Sequence, residues 1–144
     1  GHPGKKLLFM GQDFGQWHEW DEKVSLDWYL AEEESHKKLQ EYVRDLLHIY
    51  RKYPCLYHLD NDWNGFQWIN ANDGDRSIFS FIRRDETQKK NLLFICNFTP
   101  VDRDDYRVGV PKRGTYTLLL DQEHGYYMRG DMISHYRSFM SECD

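Results

Sequence analysis

The spacing of apolar residues changes twice along the chain and divides it into three stretches. Residues 7–10 form an uninterrupted apolar run that Gly11 closes, and such a run predicts a short strand buried on both faces of a parallel sheet. A polar and aromatic loop follows as far as residue 30. Apolar residues at intervals of three and four then predict an amphipathic helix over residues 35–52. Ser35 is its predicted N-cap, and Pro54 ends it because proline lacks an N–H.

Beyond Pro54 apolar and polar residues alternate, which predicts strands. The predicted strands cover residues 66–69, 77–83, 92–98, 106–110 and 115–120. Asn72, Asp73 and Gly74 predict a hairpin turn in which Gly74 takes the positive φ. Short strands separated by turn residues are typical of an antiparallel β-sandwich. We therefore expect a mainly β chain, with a strand–loop–helix unit over residues 1–54 and an all-β domain over residues 55–144.

Composition narrows the class of protein. The chain has 144 residues, a net charge of -5 and no apolar run near the roughly 18 residues of a membrane span. The negative charge disfavours nucleic acid as a partner, and we expect no membrane partner. Cys55, Cys96 and Cys143 are an odd set without metal-binding spacing, which favours a reduced, cytoplasmic protein. Because the sequence starts without methionine, we expect a fragment of a longer protein.

Metal and cofactor motifs are weak. Asp60, Asp62, Asn64 and Gly65 match the opening of a calcium-binding loop, but Ala71 stands where the bidentate glutamate belongs. The seven histidines lack the spacing of a zinc site, and no phosphate-binding or serine hydrolase motif is present. We therefore expect neither a metal nor a cofactor, and a polar turn at residues 60–65.

The loop over residues 12–30 combines tryptophans with amides and carboxylates, and this mixture suits carbohydrates. Indole faces cover the apolar face of a sugar ring, while amides and carboxylates bind its hydroxyls. The alternative is that the tryptophans pack the loop onto neighbouring loops, and composition leaves both open. Glu19 with Asp21, or Asp13 with Asp27, are candidate acid and base pairs for glycoside hydrolysis, but the sequence does not fix their separation.

An ordered series of short motifs resembles one enzyme family. Residues 5–16 read KKLLFMGQDFGQ, and EW and SLDW follow within the same loop. GFQWI, SFIRR, CNFTP and YRVGVP continue the series as far as residue 111. Together they resemble the end of the catalytic barrel and the C-terminal domain of bacterial 1,4-alpha-glucan (glycogen) branching enzymes, members of the alpha-amylase superfamily. The resemblance covers nearly the whole chain to about Asp121.

This resemblance implies an architecture and a reaction. Residues 5–11 would be the last strand of a (β/α)8 barrel, 12–30 its loop and 35–52 its last helix, followed by the C-terminal β-sandwich. The family cleaves α-1,4 glucan chains and transfers the segment to a 6-hydroxyl, with retention, through an aspartate nucleophile and a glutamate acid/base. Those carboxylates lie on earlier barrel strands, so we expect this chain alone to be inactive. Its partners would be α-glucan and the missing barrel.

Candidate site residues follow from the same resemblance. No catalytic residue is expected here, and the expected substrate-binding residues are Gln16, Trp17, Trp20 and Trp28. The alternative is a non-catalytic β-sandwich that stabilises the barrel or binds α-glucan through surface aromatics. Those aromatics are Trp63, Trp68, Tyr126 and Tyr127. The sequence departs from the family at Asp13, where glutamate is usual, and keeps only a loose likeness after Asp121. The last apolar strands that would close the sandwich are not found, so we expect either a truncated end or a fold that ends differently.

Overall fold

The computed structural model describes residues 1–87, 89–103, 105–121 and 138–143, the last of these through their backbone alone. The chain divides into two compact units. Lys5–Lys52 forms one, here called the helical unit, and Gly1–Gly4 together with Tyr53–Asp144 forms the other, called the β unit. Among the described residues, no helix combines the length and the hydropathy that crossing a membrane requires. The assignment of residues 1–54 to the end of a barrel stays a prediction.

The helical unit is built around α1, Glu34–Lys52, which confirms the predicted helix. The predicted N-cap is wrong, because the helix begins one residue before Ser35 and this residue lies in its first turn. Glu34 lies in the first turn, and Arg51 and Lys52 lie in the last, so both ends complement the helix dipole. Pro54 stands two residues beyond the end, where it cannot extend the helix. A short 3-10 helix, Trp28–Glu32, precedes α1 and buries Leu30.

The predicted strand over residues 7–10 is absent from the structure. The backbone is irregular there, and Gln12 N donates to Phe9 O in a turn. Leu7 and Met10 are exposed. A parallel strand forms only where neighbouring strands take up its backbone N–H and C=O groups. The described part of the helical unit contains no such neighbour, and the apolar run therefore has nothing to pair with.

The described strands of the β unit form one antiparallel sheet with the order β1-β2-β3-β5-β4. Its strands are β1 Phe66–Asp73, β2 Ile78–Arg84, β3 Asn91–Asn97, β4 Tyr116–Asp121 and β5 Ser138–Cys143. Four of the predicted strands are confirmed as β1 to β4. β5 was not predicted. Side chains of Ile78, Ile82, Leu93 and Ile95 form a buried core on one face of the sheet.

The predicted strand over residues 106–110 is wrong. This segment has irregular backbone, yet Tyr106 and Val108 pack against the core formed by β2 and β3. The alternation in the sequence therefore reflects every second side chain meeting that face of the sheet. It does not reflect membership of a hydrogen-bonded ladder.

The turn between β1 and β2 also differs from the prediction. Asp73 pairs with Ile78, so four residues form the loop, where a tight hairpin would have two. The positive φ is found at Ser77 (49°), and Gly74 does not take it. Ser77 N donates to Gly74 O at 3.1 Å. In this longer loop the residue with a left-handed backbone conformation is the last one, Ser77. The sequence pattern did not predict this.

Arg83 on β2 is fully buried and joins distant parts of the β unit. Its Nε donates to Gly65 O at 3.1 Å, and its Nη2 donates to Asp60 Oδ1 at 2.6 Å. Nη1 donates to the carbonyl oxygens of Gly1 and His2 at 3.1 and 2.9 Å. Four of the five N–H groups of the guanidinium thereby hold three separate segments together. These bonds tie the first residues of the chain to the β unit, together with the bond from Gly4 N to Asp60 O at 3.0 Å.

Candidate functional site

Gln16 connects distant positions of the loop over residues 12–30 in the helical unit. Its Oε1 accepts a hydrogen bond from Asp27 N at 3.1 Å, and its Nε2 donates to His18 O at 2.9 Å. Gln16 N donates to Gly11 O at 3.0 Å. Gly11 has φ +76°, and a Cβ there would lie 2.8 Å from the Cβ of Gln16. Glycine is therefore needed where the loop doubles back.

His18 and Asp27 form a second link across the loop. His18 Nδ1 lies 2.8 Å from Asp27 Oδ2, with the imidazole exposed and the carboxylate largely buried. In the same loop Phe14 is fully buried, and its carbonyl oxygen lies 2.7 Å from Nδ1 of His36 on α1. In the sequence the histidines were considered only for zinc-site spacing, and this pair was not predicted. A nine-residue separation inside an irregular loop carries no periodic signal.

Each of the three candidate tryptophans contacts an aromatic ring, and a large part of its surface is exposed to solvent. Trp17 lies with its ring centroid 5.6 Å from that of His36, Trp20 5.5 Å from Phe9, and Trp28 5.3 Å from Phe14. The exposed fractions of Trp17, Trp20 and Trp28 are 66%, 41% and 56%. One neighbouring ring restrains each indole while much of its surface remains accessible. This combination suits stacking against a flat, partly apolar ligand.

Three of the four candidate carboxylates of the loop bind other protein groups, and the fourth, Glu19, is exposed. Asp27 is engaged by His18, and Asp13 Oδ2 accepts a hydrogen bond from Gln40 Nε2 at 3.3 Å. Asp21 Oδ1 accepts from Lys23 N at 2.9 Å. Asp13 and Asp27 thus have separate partners on different elements. These hydrogen bonds stabilise the conformation of the loop.

The residues of the calcium-like motif also have structural contacts. Asp62 caps the 3-10 turn Trp63–Gly65 by accepting from Asn64 N at 2.8 Å, and Asp60 binds Arg83. Among the described residues, no three His, Cys, Asp or Glu side chains are arranged to hold a metal ion.

The aromatics of the alternative site are placed only in part. Trp63 is 92% exposed at the 3-10 turn of the β unit, and Trp68 is 51% exposed on β1. The ring centroid of Trp68 lies 5.7 Å from that of Phe81 on β2. Tyr126 and Tyr127 lie outside the described residues.

A cluster of charged and phenolic groups in the β unit was not predicted. Arg76 Nε donates to Asp73 Oδ1 and Tyr106 OH donates to Asp73 Oδ2, each at 2.8 Å. The hydrogen bond from Arg76 lowers the pKa of the Asp73 carboxyl group, and the bond from Tyr106 adds to this. Burial, together with the bond to Asp73, raises the pKa of the Tyr106 hydroxyl. The cluster joins the β1–β2 turn to the irregular segment that covers the core.

This cluster predicts a pH dependence of stability. Because the folded-state pKa of Asp73 lies below its unfolded value of about 3.9, its contribution is present above that value. The contribution is lost as the pH falls towards the folded-state pKa. We expect the free energy of unfolding to fall less steeply below about pH 5 in Asp73→Asn than in the wild type. Urea unfolding at a series of pH values measures this slope.

Asp75→Asn changes an exposed neighbour outside the cluster and serves as the matched control. It should keep the wild-type slope. An Asp73→Asn protein whose stability falls as steeply as the wild type with decreasing pH would contradict the assigned role of this carboxylate.

Comparison with known proteins identifies the class to which the fold belongs. Residues 68–140, about half of the chain, match the family described as alpha amylase, C-terminal all-beta domain, and the chain belongs to that family. The predicted antiparallel all-β domain is thereby confirmed.

Individual relatives are more specific. The 1,4-alpha-glucan branching enzyme GlgB of Butyrivibrio fibrisolvens is 59% identical over 121 residues, which cover 84% of this chain and 19% of that protein. The enzyme of the same name from Aquifex aeolicus is 47% identical over 131 residues, covering 91% of this chain and 21% of that protein. The resemblance found in the sequence is confirmed. The chain spans about a fifth of the length of these relatives.

Proposed function

We propose that these residues are the C-terminal part of a 1,4-alpha-glucan branching enzyme. Such an enzyme cleaves an α-1,4 glucan chain and transfers the released segment to a 6-hydroxyl, which creates an α-1,6 branch. The observation that carries the proposal is the 59% identity to a branching enzyme over 84% of the chain. The restrained, exposed indoles of the helical unit support it, because a glucan chain needs such surfaces.

Bond cleavage is assigned to polypeptide beyond these residues. A retaining transfer needs a carboxylate nucleophile and a second carboxyl group that acts first as acid and then as base. The loop carboxylates Asp13, Asp21 and Asp27 instead bind Gln40, Lys23 and His18. The contribution of this chain is therefore to bind glucan, and the partner that completes the site is the catalytic barrel of the same polypeptide.

Substrate binding is assigned to Trp17, Trp20, Trp28 and Gln16. The indoles stack on the apolar faces of glucose units. Gln16 uses one N–H and one lone pair within the loop, which leaves its second amide N–H for a sugar hydroxyl. Because both the oxygen and the nitrogen of the Gln16 amide are hydrogen-bonded within the loop, the remaining N–H is oriented before substrate binds. Orientation in advance lowers the entropic cost of binding.

A second candidate function is glucan binding by the β unit itself. It is favoured by Trp63, whose side chain is 92% exposed beside Asp62 and Asn64. An indole flanked by a carboxylate and an amide has the chemistry of a sugar platform. In this case the β unit would act as a non-catalytic module.

Titration with maltoheptaose distinguishes the two sites. Trp20→Ala and Trp28→Ala each remove a stacking surface in the helical unit, which costs about 1 to 2 kcal/mol. We expect the dissociation constant measured by calorimetry to rise roughly 5- to 30-fold in each. Trp63→Ala is the matched control and should bind as the wild type does. Loss of binding in Trp63→Ala alone would transfer the function to the β unit.

The same protein sample tests the catalytic assignment. Incubated with linear α-1,4 glucan, the chain alone should form no α-1,6 linkages, and turnover would refute the assignment of chemistry to other polypeptide.

We further propose a cytoplasmic location, which is supported by the free thiols of Cys55 and Cys96.

A further inference from the structure

A cavity of about 330 Å³ in the β unit, here called the arginine cavity, is lined mainly by cationic groups. The residues that line it are Arg76, Arg103, Asp105, Tyr106 and Arg107. Arg76 comes from the β1–β2 turn, and the others come from the irregular segment between β3 and β4. We propose that this cavity binds the phosphate group of a small organic phosphate. The proposal stands independently of glucan binding by the helical unit.

Charge is the first argument. Both oxygens of Asp73 are occupied, one by Arg76 and the other by Tyr106. Within the described residues, Arg103 and Arg107 form no ion pair. Of the four charged side chains that line the cavity, three are guanidinium groups and one, Asp105, is a carboxylate. The carboxylates of Asp75 and Asp102 are exposed and do not line it. Such a local excess of cations attracts an anion.

An unpaired buried donor is the second argument. Nε of Arg103 is buried and has no hydrogen-bond partner within the part of the chain that the structure describes. A buried N–H without an acceptor is unfavourable, and in native structures it commonly marks a position where water or an ion binds. An anionic oxygen in the cavity that Arg103 lines would supply the acceptor.

The geometry of Arg76 is the third argument. Its Nε is held by Asp73, and its guanidinium carbon lies 5.0 Å from the centre of the Tyr106 ring. These two contacts fix the plane of the guanidinium, while its Nη nitrogens remain as a fork. A planar fork of this kind matches two oxygens of a phosphate. The cavity volume is in the range of small-molecule sites, so it also accommodates the organic group that carries the phosphate.

Inorganic phosphate is the probe that tests the proposal. Titrated into the full 144-residue chain at constant ionic strength and followed by NMR, it should shift the side-chain N–H signals of Arg76, Arg103 and Arg107 saturably. Arg107→Gln and Arg103→Gln should each raise the dissociation constant at least about tenfold, as expected for loss of a charge-assisted contact. Arg113→Gln removes the same charge from an exposed arginine outside the cavity and should change it less than about twofold.

Three results would overturn the proposal. Shifts that rise linearly to about 50 mM phosphate would show only general screening. An equal loss of affinity in Arg113→Gln would show that net charge matters and the cavity does not. Maltoheptaose shifting the same arginine signals at lower concentration than phosphate would make the cavity a carbohydrate site. Arg107 is exposed, so Arg107→Gln should fold normally. If Arg103→Gln does not fold, the dissociation constant of Arg107→Gln alone tests the proposal.

Discussion

Replacing Arg83 with methionine should lower the free energy of unfolding by about 3 to 5 kcal/mol, the range for removing one partner of a buried ion pair. Methionine replaces the apolar stem but none of the donors. The Asp60 carboxylate would lose its 2.6 Å contact, and the carbonyl oxygens of Gly65, Gly1 and His2 would lose theirs. Each of these acceptors is costly to leave unpaired in the interior.

Urea unfolding followed by circular dichroism measures this loss, and Arg84→Met is the matched control. Arg84 is the next residue on β2, and it donates to Gln67 at the surface. An exposed contact contributes little, so the control should lose less than about 1 kcal/mol. An Arg83→Met protein within about 1 kcal/mol of the wild type would contradict the central role given to Arg83.

Gly65→Ala should destabilise the protein by about 2 to 4 kcal/mol, as expected when a side chain is forced into occupied space. A Cβ on Gly65 would lie 2.4 Å from the carbonyl oxygen of Leu59 and 2.5 Å from its Cβ. The obstacle is backbone, so no side-chain rotation relieves it. Displacing Gly65 would also disturb its carbonyl, which accepts from Arg83. Thermal and urea unfolding both report the loss.

Gly74→Ala is the control for this second variant. No atom lies within 4 Å of a Cβ built on Gly74, and its φ is not positive. Alanine there restricts the unfolded chain and should leave stability within about 1 kcal/mol of the wild type. If Gly65→Ala were as stable as Gly74→Ala, the close approach of Leu59 would not constrain the turn.

Regular elements were predictable from the sequence where turn residues or proline bound a stretch of apolar positions. The 3.6-residue period located α1, and apolar stretches between turn residues located β1 to β4, of which β2 and β3 are buried on both faces. The same signal failed at residues 7–10, where the apolar run has no neighbouring strand. It also failed at Tyr106 and Val108, whose side chains pack as a strand's would while the backbone does not pair. Periodicity reports burial, and hydrogen bonding is a separate property.

The candidate site was predictable in composition but not in geometry. The richness in tryptophan and amide indicated a carbohydrate loop, and residue type alone carries that signal. The links from Gln16 to His18 and Asp27, and the convergence of Arg76 with Arg103, depend on how irregular segments close on themselves. Such closures follow no fixed sequence interval, so no pattern search finds them.

The bonds from Arg83 to the first two residues have a consequence for biosynthesis. Gly1 and Arg83 are 82 positions apart in the chain. At about 5 to 20 residues per second, a ribosome needs roughly 4 to 16 seconds to add the intervening segment. Throughout that interval the carbonyl groups of Gly1 and His2 lack this donor, since Arg83 has yet to be translated. The helical unit, in contrast, has its entire sequence available by residue 52, and so its completion can precede that of the β unit.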